Sequence, residues 1–118
     1  MDHREKLSFA DRAGEFSKLM QKYPSRRCVV VHGDTQRKVT LRKHKFLAPA
    51  DMSVGQFLFV LRSHVKELRS NQALFIFTER NQLPPLQKTI SALHDECGDR
   101  DGALYLRVGT ENTFGGPM

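Results

Sequence analysis

The sequence predicts a small α+β domain in which four strands are crossed by one main helix. Four observations carry this reading. Val54, Phe57, Leu58, Leu61 and Val65 recur at i, i+3, i+4, i+7 and i+11, a helical core stripe. Ser53 precedes it, with Gln56 three residues on, so each side chain can satisfy one orphan N–H of the helix start as a capping box. Cys28-Val29-Val30-Val31 and the apolar run from Ala73 to Thr78 read as strands, the second covered on both faces. Finally, Leu104, Leu106 and Val108 alternate with Ala103, Tyr105 and Arg107, the pattern of a half-buried strand.

Taken in order, residues 1–8 are polar and make a mobile arm or a short helix. Ala13, Phe16, Leu19, Met20 and Tyr23 keep helical spacing and end before Pro24. After the first strand, His32-Gly33-Asp34 is turn chemistry, and Val39-Thr40-Leu41 extends the returning arm. The basic Arg42-Lys43-His44-Lys45 leads into a second strand, about Lys45 to Ala48, which Pro49 stops because it has no N–H for a ladder. The main helix is expected from about Ser53 to Leu68. Asn71-Gln72 breaks the pattern before the third strand, and Asn81 to Pro85 is a loop. Leu86, Ile90, Leu93 and Cys97 suggest a second, shorter helix. Gly98-Asp99-Arg100-Asp101-Gly102 turns the chain into the last strand, and a loose tail is expected from Gly109. The expected units are a helical extension over 1–24 packed on the core, a domain over 25–109 and a flexible tail over 110–118.

At 118 residues one domain with a single modest core is the default. No apolar run approaches the ~20 residues of a membrane-spanning helix, and MDHREKLSF lacks the apolar centre of a secretory signal. Two cysteines without such a signal are expected to stay reduced, which places the chain in the cytoplasm. The net charge of +6 implies acidic partners, whether peptides, anionic lipid surfaces or nucleic acid. Phe57 and Val60 lie toward the edge of the helical stripe beside the second strand. A strand edge next to a helix edge, with basic residues nearby, is a place to bind an extended peptide.

Several motifs carry a resemblance: Phe46-Leu47-Ala48-Pro49-Ala50-Asp51, Val54-Gly55-Gln56-Phe57, Ala73-Leu74-Phe75-Ile76-Phe77, Leu83-Pro84-Pro85, Asp101-Gly102 and Glu111-Asn112-Thr113-Phe114-Gly115. In this order and spacing, from roughly Phe9 to Gly115, the chain resembles the ubiquitin-like modifiers of autophagy. These are relatives of the microtubule-associated protein light chains and of the GABA-receptor-associated protein. The order of elements is compatible with a ubiquitin-like roll. The resemblance implies that β-grasp roll, a four-stranded sheet with a crossing helix, with an N-terminal helical extension.

The resemblance further implies a groove for peptides of the form aromatic-x-x-aliphatic flanked by acidic residues, added as a strand beside the second strand. By position, the aromatic pocket would use Glu15, Leu19, Cys28 and Val30 with Lys45, Leu47 and Ala103. The aliphatic pocket would use Phe46, Ala48 and Pro49 with Met52, Phe57 and Val60. Arg26, Lys43, Lys45 and Arg62 would meet the acids. Cys28, Ala48 and Ala103 stand where a proline, a valine and a phenylalanine are common in the family. Lost methylenes are worth about 0.8 kcal/mol each when buried, so the motif preference is expected to differ from that of the relatives.

In this family a cysteine protease cuts after the glycine that follows Thr-Phe. Here that means after Phe114-Gly115, with Gly116 as the alternative. The exposed carboxylate would then pass through activating and conjugating enzymes to phosphatidylethanolamine, which anchors the domain on autophagosomal membranes. Cargo receptors and other autophagy proteins would be the remaining partners. Glycine suits a tail that threads an enzyme channel, having no Cβ.

Two other classes of function compete with this reading. An enzyme would need Cys28 or Cys97 oriented by a histidine, but the first begins a strand and the second lies on a helical core stripe. No cofactor is expected: there is no glycine-rich phosphate loop, and His94 with Cys97 supplies only two possible metal ligands. Nucleic acid would suit Arg26-Arg27 with the cluster Arg37-Lys38 and Arg42-Lys43-His44-Lys45. Without exposed aromatics for base stacking, an acidic-peptide dock explains that run equally well. The alternative to the conjugated modifier is thus a basic ubiquitin-like binding module for nucleic acid or acidic partners, without lipid conjugation; specific nucleic-acid binding is not expected.

Overall fold

The structure is a computed structural model that describes residues 3–34, 39–69 and 71–110 of the chain. Helices α1 (His3–Lys6) and α2 (Phe9–Lys22) lead into strands β1 (Arg26–Gly33) and β2 (Lys45–Pro49). Helix α3 (Val54–Arg62), strand β3 (Phe75–Thr78), helix α4 (Ile90–Cys97) and strand β4 (Ala103–Gly109) follow. The strands form one sheet in the order β2-β1-β4-β3. The central pair, β1 and β4, is parallel, and the two outer pairs are antiparallel. This is the ubiquitin-like roll with its N-terminal helical piece.

Alternation along the strands divides the core in two. On one face Val29, Val31, Phe46, Ala48, Ile76, Leu104 and Leu106 pack against Val54, Phe57 and Leu61 of α3 and Ile90 and Leu93 of α4. On the other face Cys28, Val30, Ala103 and Tyr105 pack under Phe16 of α2, with Leu19, Met20 and Leu47 at the margin. Cys28 and Cys97 therefore contribute to opposite faces, and both thiols are free.

The capping box at Ser53 and Gln56 is present with both bonds, at 2.9 and 3.0 Å. Four other expectations need correction. The helix does not reach Leu68: it ends at Arg62, and Glu67 has φ of 61°, which a helix cannot accommodate. The Arg42 N–H donates to the His64 carbonyl and the Lys66 N–H to that of Thr40, so bonds to the segment before β2 replace helical ones. Val65 still reaches the core, but through an antiparallel bridge to Leu41.

Leu86 is 56% exposed and lies outside α4, which starts at Ile90 behind its cap Thr89. The carbonyls of Leu86 and Lys88 accept instead from Gly55 and Val54, satisfying the orphan N–H groups of α3. β4 is buried on both faces, because it is central and α2 covers the Ala103 and Tyr105 side. Gly109 is still in β4, opposite Phe75. Residues 111–118 lie outside the described residues.

An acid–base network ties α2 to the turn before β4. Arg12 Nε donates to Asp101 Oδ2 at 2.9 Å, the Tyr105 hydroxyl donates to the same oxygen at 2.5 Å, and the Ala103 N–H donates to Oδ1. Gly102 follows at φ 99°, a conformation that favours glycine, and a Cβ there would press on Phe16. α1 joins through Arg4, which lies 4.1 Å over the Tyr105 ring and pairs with Glu79.

Candidate functional site

β2 is an edge strand, and its register decides what it offers. The Val31 N–H donates to the His44 carbonyl and the Ala50 N–H to that of Ser25, at the two ends of the β1–β2 ladder. Between them Val29 faces Phe46 and Arg27 faces Ala48 in the bonded positions. The backbone N–H and C=O groups of Lys45 and Leu47 therefore point away from the sheet, as does the Pro49 carbonyl. This is an edge on which another strand can add.

A pocket of about 300 Å³ opens on the α2 side of that edge. Of the residues assigned to an aromatic pocket, Glu15, Leu19, Cys28, Lys45 and Leu47 line it. Val30 and Ala103 do not; both are fully buried under α2. Phe16, Lys43 and Phe46 join the lining, which the sequence did not assign to this pocket. Lys45 Nζ donates to Glu15 Oε2 at 2.7 Å, spanning the pocket wall. Burial pushes the Cys28 thiol up to about 11, with the charges of Glu15 and Asp101 adding to the effect, so the sulfur stays a neutral wall.

A second pocket, about 820 Å³ and more open, lies between the end of β2 and α3. Pro49, Met52 and Val60 line it, together with Gln56 and Phe59. Phe46, Ala48 and Phe57, also assigned here, are core residues behind it. Alternation along β2 turns Phe46 and Ala48 inward, the apolar stripe of α3 does the same for Phe57, and the Phe46 and Phe57 rings meet edge to face at 5.5 Å. Phe59 was missed. It is 78% exposed, off the apolar stripe of α3, and an aromatic in that off-stripe position beside Val60 is the signal that would have found it.

The four cations assigned to acidic flanks are in different states. Lys43 lies 5.0 Å over the Phe46 ring, and Lys45 meets Glu15. Arg26 donates from Nη1 to the Leu47 carbonyl at 3.0 Å. Arg62 donates to the Gln72 carbonyl at 2.9 Å, which ties the end of α3 to the following loop. Among the described residues no group of three or more His, Cys, Asp or Glu is placed to hold a metal ion, and no helix is long and apolar enough to cross a membrane.

Comparison with known proteins agrees with this architecture. The family model of the autophagy protein Atg8, ubiquitin-like, matches residues 11–115. Autophagy-related protein 8c of Arabidopsis thaliana is 43% identical over 102 residues, covering 86% of this chain and 84% of the relative. The crystal structure of Trypanosoma brucei ATG8 superposes with a TM-score of 0.88 at 29% identity, over 98% of each chain. Plasmodium falciparum Atg8, solved in complex with a Plasmodium falciparum Atg3 peptide, gives 0.80 at 30% identity, over 92% of this chain and 94% of that one. With its fold, its residues 11–115 and its relatives in agreement, the chain belongs to the Atg8 family of autophagy-related, ubiquitin-like proteins.

Proposed function

We propose that this chain is a conjugated modifier that recruits autophagy proteins by adding their acidic aromatic-x-x-aliphatic segments as a strand on β2. The observation that carries this reading is the outward-facing edge of β2 with one pocket on each side of the sheet. Residues three apart on an extended strand point to opposite faces, because the side-chain period is two. An aromatic-x-x-aliphatic segment therefore sends its anchors to the two sides, about 10 Å apart along the strand. The narrower pocket lies at the Lys45 end of β2 and the other at the Pro49 end. A peptide with its aromatic residue first would run parallel to β2. The peptide complex of the Plasmodium falciparum relative supports a peptide-binding surface of this kind.

The pocket walls are Glu15, Phe16, Leu19, Cys28, Lys45 and Leu47 on one side, and Pro49, Met52, Phe59 and Val60 on the other. Val30, Ala103, Ala48 and Phe57 act from behind, by fixing the positions of these walls. Arg26, Lys43, Lys45 and Arg62 would meet the acids that flank the motif.

Cleavage after Gly115, or after Gly116, and transfer of the new carboxylate to phosphatidylethanolamine would convert a cytoplasmic domain into one held on autophagosomal membranes. The motif Glu111-Asn112-Thr113-Phe114-Gly115 supports this part of the reading. Two experiments test the whole. Intact mass after incubation with a processing protease of the family should show loss of residues 116–118; an uncut chain, with the protease active on a control, removes conjugation. Calorimetric titration with an acidic aromatic-x-x-aliphatic peptide should give saturable binding that Lys45→Ala with Leu47→Ala weakens at least tenfold, as loss of two side chains at a strand-addition site implies. Equal affinity in the double variant removes the groove.

A further inference from the structure

We infer, resting on the groove proposed above, that the uncut tail of one copy is itself a ligand: it adds to β2 of a second copy, with Phe114 in the pocket on the α2 side and Pro117 in the pocket on the α3 side. The tail reads Phe114-Gly115-Gly116-Pro117, an aromatic residue with an apolar one three positions on. Residues three apart on an added strand point to opposite faces, and the two pockets lie on opposite faces of the sheet.

The backbone of β2 favours this tail in particular. In a parallel pair, a residue donates to the carbonyl before its opposite number and accepts from the N–H after it. With Phe114 opposite Lys45, on the face where Lys45 and Leu47 line the narrow pocket, Gly115 falls opposite Phe46. The Gly115 N–H then donates to the Lys45 carbonyl, and the Leu47 N–H donates to the Gly115 carbonyl. Pro117 falls opposite Ala48, on the α3 face and beside Pro49, Met52 and Val60. Any other residue there would donate to the Leu47 carbonyl, which Arg26 Nη1 already occupies at 3.0 Å. Pro117 has no N–H to place, so the tail docks with Arg26 left where it is. Proline also holds Gly116 toward extended backbone, the form an added strand needs.

The tail must come from a second copy. Lys45 stands level with Val30, and Val30 with Tyr105, across the sheet. Thr110 lies five residues past Tyr105, about 16 Å along the strand direction. A strand added beside β2 lies three strand spacings from β4, about 14 Å across. The path from Thr110 back to that position is therefore about 21 Å, whereas the four residues from Thr110 to Phe114 span at most about 14 Å. A chain cannot seat Phe114 in its own pocket. Loss of residues 116–118, the processing proposed above, would remove Pro117 and so free the groove for other partners.

Sedimentation equilibrium of the full chain, from about 10 μM to about 1 mM, covers the range in which modest peptide docking is populated. The chain should associate reversibly as concentration rises. A saturating aromatic-x-x-aliphatic peptide with neutral flanks should return it to monomer, because both ligands claim β2. Phe114→Ser and Pro117→Asp, both beyond the last strand, should each weaken association at least about tenfold, the scale of losing a buried anchor. Pro117→Ala should weaken it about threefold, since the new N–H finds its acceptor capped; adding Arg26→Ala should recover the loss.

A chain that stays monomeric throughout, while the same peptide binds it in calorimetry, overturns the tail docking and leaves the groove standing. Failure of that peptide to bind removes the groove, and the docking with it. Association that survives Phe114→Ser, or that the peptide does not reverse, lies elsewhere on the molecule and overturns the proposal. So does a Pro117→Ala loss that Arg26→Ala fails to recover.

Discussion

The guanidinium of Arg26 donates from Nη1 to the carbonyl oxygen of Leu47 at 3.0 Å, at the outer edge of β2. That oxygen is an acceptor an added strand would use, so Arg26 must release it before a peptide can pair there. Arg26→Ala should therefore raise the affinity for a peptide with neutral flanks by about threefold, the scale of one modest hydrogen bond. A peptide with an acidic flank should gain less, because the same arginine can meet its carboxylates. Calorimetry with the two peptides checks the difference, and a loss for both would show that Arg26 does not cap the edge.

Phe46 and Leu47 are neighbours with opposite roles. Phe46 is buried against Phe57, so Phe46→Ala should cost about 3 kcal/mol of stability, within the range for emptying an aromatic core site. Leu47 is half-buried at the pocket margin. Leu47→Ala should leave the urea midpoint nearly unchanged while weakening peptide binding. Urea denaturation and titration on the same two variants separate the effects, and a large stability loss in Leu47→Ala would contradict the assignment.

Phe16 joins α2 to the sheet and also lines the pocket proposed for the aromatic anchor. Phe16→Ala should lose about 3–5 kcal/mol in urea denaturation. It should also loosen α2, seen as faster amide exchange over Phe9–Lys22 than over β4. Uniform acceleration across the domain would mean that α2 unfolds only with the core.

Burial pushes the Asp101 carboxyl up, but the Tyr105 hydroxyl, the Ala103 N–H and Arg12 together outweigh it and hold it below the ordinary carboxylate range. A depressed native pKa contributes stability above the unfolded value of about 3.9 and loses it as pH falls through the native one. Stability of the protein should thus have a component lost below about pH 4. Asp101→Asn should be less stable at neutral pH and show a flatter acid limb in denaturation at successive pH values. Parallel acid limbs would exclude Asp101 as their source.

Cys28 is buried, and its thiol is pushed up to about 11, so little thiolate exists at pH 8. Iodoacetamide should label the half-exposed Cys97 first, with Cys28 reacting only in step with opening of α2. Peptide mapping over time reads the order. Rapid labelling of Cys28 would show that the aromatic pocket opens more readily than its burial implies.

Local chemistry was legible in the sequence wherever one short segment decides it: the Ser53 and Gln56 box, the stop at Pro49, the strands at Val29 and Leu104, and the family motifs. The periodicity of Val65 was read correctly as core and wrongly as helix, because burial records where a side chain arrives and not the backbone path that brings it. Which pocket wall each residue makes was not legible either. Val30, Ala103 and Phe57 carry the right side chains, but strand order and the cover of α2 and α3 decide that they stand behind the surface. The pairing of Arg12 with Asp101 joins residues 89 positions apart and leaves no local pattern. The sequence by itself determined the order of the elements, the family and the exposed-edge chemistry of β2, because those depend on neighbours along the chain. Only the tertiary structure decided that the two pockets lie on opposite faces and that Arg26 caps the Leu47 carbonyl, because both depend on how distant segments meet across the sheet.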